Sequence, residues 1–245
     1  MKQRRGRDPR LLVFKNMATY ELISSGYRSW RQKPWRIIKV FNRFLEKHRG
    51  NYVLDLGSGP CVNGIDLVKG RNNYLLCLDI SFSMSRISKE NIERNNILGD
   101  SIAADLLYLP LRENSIDLIL SIASLHHIPP EMMRRALIEI KRIMKPRGRA
   151  LITMWSWRQL RFLLKQVMNK ALEIAGILFD SREFFISWRT RKGTYYRYYH
   201  LYTLEELKEL CISMGFKVLS SGYTCYLRNR SDNIYVIIDK NKASK

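Results

Sequence analysis

Short apolar runs alternate with stretches of helical periodicity through the middle of the chain. Tyr52–Leu56, Tyr74–Asp79, Ile116–Ser121 and Ala150–Trp155 are apolar almost throughout, as strands must be when both faces of a sheet are covered. Ser101–Asp105 is a weaker run of the same kind. Between these runs, Ser83–Arg94 reads as a helix. Residues 131–144 carry Met132, Leu137, Ile140 and Met144 on one helical stripe, before Pro146 and Gly148 end it. After Trp35, the residues Ile37, Ile38, Phe41, Phe44 and Leu45 recur at helical spacing, with Lys39, Arg43 and Lys47 facing out. Strands alternating with helices predict an α/β fold with a doubly wound, mostly parallel sheet.

Residues 157–200 interrupt the alternation. Gln159 to Phe179 is apolar enough for a helix, but Arg161, Lys165, Lys170 and Glu173 make it amphipathic and not membrane-spanning. The remainder is aromatic and basic. Beyond it, Thr203 and Glu206 form a capping box and Gly215 ends the helix that it opens. Phe216–Tyr223 and Ile234–Asp239 then predict an antiparallel strand pair closing the sheet edge. Residues 1–16, with Gly6 and Pro9 among the charges, read as a flexible basic tail, leaving 17–245 as a single domain with 157–200 inserted into it. No long apolar stretch is free of charge, and no apolar run follows the first basic residues, so no membrane span or signal peptide is expected and the location expected is cytoplasmic.

Charge changes this picture. The net charge of +21 is concentrated in two places: fourteen Lys and Arg against three acids in residues 1–50, and nine against three in 158–200. The part between them is nearly balanced. Basic flanks mixed with Tyr20, Tyr27, Trp30, Trp35, Tyr195, Tyr196, Tyr198 and Tyr199 suit a polyanion with exposed bases, such as RNA, better than a small metabolite. Cys61, Cys77, Cys211 and Cys225 are scattered without ligand spacing, and His126 and His127 cannot share a helix face, so neither a metal site nor a disulfide framework is expected.

The first two apolar runs carry the chemistry. Asp55-Leu56-Gly57-Ser58-Gly59 is a strand end entering a glycine turn, and Asp79 closes the next strand about twenty residues on. Glycines let backbone approach a ligand, and a carboxylate at the second strand end can accept from a ribose diol. The spacing is not that of a dinucleotide site.

The order Asp55-x-Gly57-x-Gly59, Asp79, Asp105 with Leu109-Pro110, Asp117, Ser121 to His127 and Lys145-Pro146-Arg147-Gly148 resembles class I S-adenosylmethionine (SAM) methyltransferases over 51–155. The flanking motifs Arg31-Gln32-Lys33-Pro34-Trp35, Met154 to Gln159 and Tyr196 to Tyr202 are similar to those of the tRNA wobble-uridine (5-carboxymethyluridine) methyltransferase family, over roughly 17–239. The resemblance implies a Rossmann-like seven-stranded sheet with an antiparallel C-terminal strand. It implies SAM as cofactor, held by Asp55, Gly57, Gly59, Asp79, Asp105, Leu106 and Ser121. It implies tRNA as substrate and methyl esterification of a carboxymethyl group at wobble position 34. Arg31, His127 and Arg197 would be catalytic, with Lys33, Tyr199 and His200 on the substrate; by residue type alone, Trp35 and Trp155 read as core. A small zinc-binding activator subunit would pair with an edge strand near Ser101–Ala104. Cys61 after Pro60 stands where the family usually has a third glycine. Methylation of a small molecule, and a SAM-fold RNA-binding protein without activity, are the alternatives.

Overall fold

A computed structural model describes residues 8–45, 52–175, 180–224 and 233–240. Its centre is a seven-stranded sheet of β1 (Tyr52–Leu56), β2 (Tyr74–Asp79), β3 (Gly99–Ala103), β4 (Ile116–Ile122), β5 (Met144–Trp155), β8 (Lys217–Thr224) and β9 (Asn233–Asp239), in the order β3-β2-β1-β4-β5-β9-β8. The first five are mutually parallel. β9 runs antiparallel to both of its neighbours, so β8 and β9 do not simply extend the edge: β9 enters between β5 and β8. β6 (Glu183–Thr190) and β7 (Gly193–His200) form a separate antiparallel hairpin.

Strand side chains alternate between faces, which is why the central runs read as apolar throughout. Leu54, Leu56, Ile119 and Ile152 join one core with α5 (Pro130–Ile143) and α7 (Leu204–Ser213), while Val53, Leu75, Leu118, Leu120 and Leu151 join a second with α2 (Ile37–Leu45) and α3 (Val62–Val68). Burying each such side chain stabilises the fold by about 1.5–3 kcal/mol. α5 stops at Ile143, and Pro146 and Gly148 lie inside β5, which begins six residues before the predicted Ala150. The capping box of α7 forms as its sequence predicts: Glu206 N–H donates to Thr203 Oγ1 (3.2 Å) and Thr203 N–H to Glu206 Oε2 (2.9 Å).

The expected tail is the main departure. From Pro9 to Trp30 the chain is one 22-residue helix, α1, capped by Asp8, whose side chain accepts from the Arg10 N–H at 2.9 Å. Residues 1–7, with Lys2, Arg4, Arg5 and Arg7, lie outside the described residues, as do Cys225 and residues 176–179 of the inserted segment. Described parts of that segment are α6 (Leu160–Ile174) and the β6–β7 hairpin, whose second strand packs along α1. α4 (Phe82–Arg94) lies beside β3 and is also touched by α1. No helix among the described residues is long and apolar enough to cross a membrane.

Candidate active site

At the carboxyl ends of β1, β2 and β4, under α1 and the hairpin, lies a cavity enclosing about 1060 Å³ of empty space, mouth included. Its floor is the glycine turn. Gly57 and Ser58 N–H both donate to Leu78 O (2.7 and 3.0 Å), tying the turn to the end of β2. Gly57 has φ +69°, and a Cβ there would fall 1.9 Å from Ser124 Oγ, so only glycine fits. Asp79 closes β2 and accepts from Gly59 N–H (2.9 Å) and Ser81 N–H (3.0 Å). Burial pushes its pKa up to about 6, against those two hydrogen bonds. Each carboxylate oxygen keeps a lone pair for a further donor. Beside it, Ile80, Ala104 and Leu106 line a mostly apolar slot, with Asp105 at the rim. A carboxylate acceptor beside an apolar slot and a glycine floor fits the ribose diol and flat base of an adenosine-bearing cofactor.

The opposite wall is aromatic and cationic. Trp155 and Tyr199 stack with ring centroids 4.4 Å apart and planes inclined by 12°. Arg197 is only 6% exposed, lies 5.0 Å from the Trp188 ring and 5.5 Å from the Tyr199 ring, and its Nε has no hydrogen-bond partner among the described residues. Burial works against its charge, but the oxygens of Tyr199, Tyr20 and Tyr27 more than offset this and raise its pKa. Arg31, the C-cap of α1, lies over Trp35 at 4.7 Å and lines the same cavity.

His127 is fixed by two elements, α1 and β7. Its Nδ1 is 2.8 Å from Tyr198 O and its Nε2 is 2.9 Å from the Tyr20 hydroxyl. This network assigns the proton to Nδ1, with Tyr20 donating to Nε2 while it accepts from Arg197. Burial, helped by the Arg197 charge, depresses the His127 pKa to about 3, so the imidazole is neutral at physiological pH. Asn16 completes the arrangement: its Oδ1 accepts from Tyr198 N–H (2.7 Å) and its Nδ2 donates to Tyr198 O (3.0 Å).

Of the residues singled out in the sequence, Gly57, Gly59, Asp79, Asp105, Leu106, Arg31, His127, Arg197 and Tyr199 line this one cavity. Four do not. Asp55 sits behind the turn, 1% exposed, accepting from Gly64 N–H at 2.9 Å, so it holds the start of α3; burial pushes its pKa up to about 7. Ser121 is buried on β4, and its neighbours Ile122, Ala123 and Ser124 line the cavity instead. Lys33 is exposed outside it. His200 is fully buried against the Tyr202 ring, 4.6 Å away. Trp35 and Trp155, expected in the core, pack against it as partly buried side chains and also line the cavity. Sequence reasoning missed Asn16 and read Tyr20 and Tyr27 only as part of an aromatic, basic flank, although all three continue the stripe of Leu12, Val13, Thr19 and Ile23 along α1. A disulfide is a further correction: Cys61, with φ 59° at the end of the turn, is bonded to Cys77 of β2, Cα–Cα 6.3 Å. Asp55 lies beside the pair, ligand atoms within 4.8 Å, but sulfurs bonded to each other offer a cation no thiolate.

Residues 54–152 match the family described as a methyltransferase domain. The fold is shared with a Burkholderia thailandensis 1,6-didemethyltoxoflavin-N1-methyltransferase solved with S-adenosylhomocysteine (TM-score 0.69, 15% identity, covering 97% of this chain and 92% of that one). It is shared too with a chain solved in complex with the Haloferax volcanii Trm112 methyltransferase activator (TM-score 0.66, 14% identity, 94% and 99%). The chain carries a methyltransferase domain and has the class I SAM-dependent methyltransferase fold. Along most of its length it is similar to the tRNA (carboxymethyluridine(34)-5-O)-methyltransferase of Schizosaccharomyces pombe, with 29% identity over 233 residues, 91% of this chain and 94% of that protein.

Proposed function

We propose that this enzyme methylates the carboxymethyl group of 5-carboxymethyluridine at the wobble position of tRNA, giving the methyl ester. The observation that carries the reading is Arg197: a buried guanidinium on the wall of the cavity whose Nε finds no hydrogen-bond partner among the described residues. A buried donor of this kind calls for an acceptor, and a planar carboxylate is the acceptor that a guanidinium fork matches best. The similar fission-yeast protein is named for this reaction.

The chemistry asks little of proton transfer. A substrate carboxyl with a pKa of about 4.3 is already an anionic nucleophile at neutral pH. SAM, when bound, supplies a methyl group activated by its sulfonium. Asp79 and the glycine turn would hold its adenosine part. Arg197 and Arg31 would orient the substrate carboxylate, the Trp155–Tyr199 pair would hold the uracil ring, and α1 with the hairpin would exclude water. Alignment of this kind supplies about 7–11 kcal/mol of the barrier. Neutral His127 is a fixed hydrogen-bonding wall and not a second cation.

The partner reading is an activator subunit added at β3. Among the described residues β3 pairs only with β2 and so presents an edge, and Leu98 just before it is exposed. Ile102→Pro on that strand should abolish copurification of such a subunit while leaving the fold intact. For the reaction, deletion of the gene followed by mass spectrometry of tRNA nucleosides should show the free acid accumulating as the methyl ester disappears. Unchanged methyl ester would reject the assignment.

A further inference from the structure

A second cleft, of about 970 Å³ with its mouth, opens on the other side of Arg31, between the end of α1, α3 and α4. Its lining is of a different kind: Arg28, Arg31, Lys69 and Arg94 supply four positive charges against the single exposed Asp66, with amides from Gln32, Asn91 and Asn95. Arg28 is braced by Glu90 at 2.7 Å and by Asn91 Oδ1 at 3.4 Å, so its guanidinium is held against the cleft wall. Arg94 and Lys69 are exposed, Arg94 with its nearest carboxylate, also Glu90, at 3.8 Å. One acid shared by two arginines leaves the cleft net positive. Nothing in the first cavity uses these groups except Arg31, which lines both.

We propose that this cleft is a phosphodiester subsite, holding the backbone phosphate next to the nucleotide whose base enters the methyl-transfer cavity. The inference rests on the tRNA reading above and adds to it a place for the chain that flanks the reacting base. Arg31 is the shared wall, so a strand crossing it would put a base on the aromatic side and a phosphate on the cationic side. Guanidinium and ammonium donors backed by amides are suited to phosphate oxygens, and such contacts fix register without reading sequence.

The test compares the full-length wild type with Lys69→Gln/Arg94→Gln, and with Lys217→Gln at the far edge of the sheet as a control for loss of a positive charge away from the cleft. The probe is an anticodon stem-loop RNA carrying 5-carboxymethyluridine, titrated over a range of salt. For the double variant, the slope of log affinity against log salt should fall by about 0.7, the value for the one single-strand phosphate that is no longer neutralised. S-adenosylhomocysteine affinity should stay within twofold, and the loss in turnover should appear in KM for RNA and not in kcat. Inorganic phosphate should compete weakly with RNA for the wild type and not for the variant, separating a phosphate site from mere attraction to a polyanion. A slope equal to that of Lys217→Gln, or a wild type that binds no RNA, overturns the subsite. If RNA binds with the expected slopes but no methyl ester forms, the reaction assignment fails and the subsite stands.

Discussion

Asn16→Ala should be the most damaging single truncation in α1. The Asn16 side chain, 4% exposed, faces the peptide of Tyr198 on the edge of β7 and behaves as a one-residue strand, accepting from its N–H and donating to its C=O. Removing it loses two hydrogen bonds, of which the one to the Tyr198 carbonyl is worth about 1 kcal/mol. The carbonyl of Tyr198 keeps a partner, the Nδ1–H of His127 at 2.8 Å, but its N–H is orphaned, at about 1–3 kcal/mol. The expected loss is therefore about 2–4 kcal/mol, measured as a lower urea midpoint at unchanged m-value. Asn16→Asp gives a sharper signature. A carboxylate can still accept from the N–H but is pressed against the carbonyl, so its pKa in the folded state must rise above the ordinary value of about 3.9. Stability of that variant should recover as pH falls through the raised pKa, because only the protonated side chain donates. A loss below about 0.5 kcal/mol for Asn16→Ala, or a pH-independent Asn16→Asp, would refute the view that α1 is stitched to the hairpin through this residue.

Other outcomes follow from the same geometry. Gly57→Ala should abolish S-adenosylhomocysteine binding in calorimetry, since its Cβ would overlap Ser124 Oγ; wild-type affinity would show that the turn yields freely. Asp79→Asn should weaken that binding roughly tenfold to a hundredfold, the worth of about 1.5–3 kcal/mol for a hydrogen bond to a charged group. In the wild type, affinity should drop about tenfold per pH unit below about 6 as Asp79 protonates, while the ligand-free protein gains stability over that range because its folded state takes up protons that the unfolded chain does not. A flat affinity down to pH 5 would show that an ionised Asp79 is not needed. Arg197→Lys should keep the charge but lose the planar fork, lowering kcat at least tenfold with cofactor affinity unchanged; an equal effect on both would make Arg197 a packing residue.

The half of the site proposed to hold the cofactor is legible in the sequence because its logic is local. A strand, a glycine turn and a carboxylate at the next strand end follow one another along the chain, and burial of both sheet faces leaves unbroken apolar runs. The substrate half is legible only as residue types. Arg31, His127, Arg197 and Tyr199 converge, but the helix that gathers them is hidden, because its buried stripe contains Asn16 and Thr19 and begins among charges and a proline. Those polar residues bond to the hairpin, to Tyr198 and, from Thr19 Oγ1, to Tyr196 O at 3.0 Å, partners that no periodicity reveals. The same holds for β9, whose insertion between β5 and β8 depends on pairing with a strand nearly eighty residues earlier. Cys61 and Cys77 meet only because β1 and β2 lie in register and the turn folds back over them.

The walls of the cofactor cavity come from distant parts of the polypeptide, Asn16, Tyr20 and Tyr27 near its start and Arg197 and Tyr199 some 170 residues later. During synthesis, then, the glycine turn and Asp79 leave the ribosome long before the roof over them can close. A nascent chain stalled before Tyr199 should retain no S-adenosylhomocysteine, and ligand capture during translation would time the moment when the two distant segments meet.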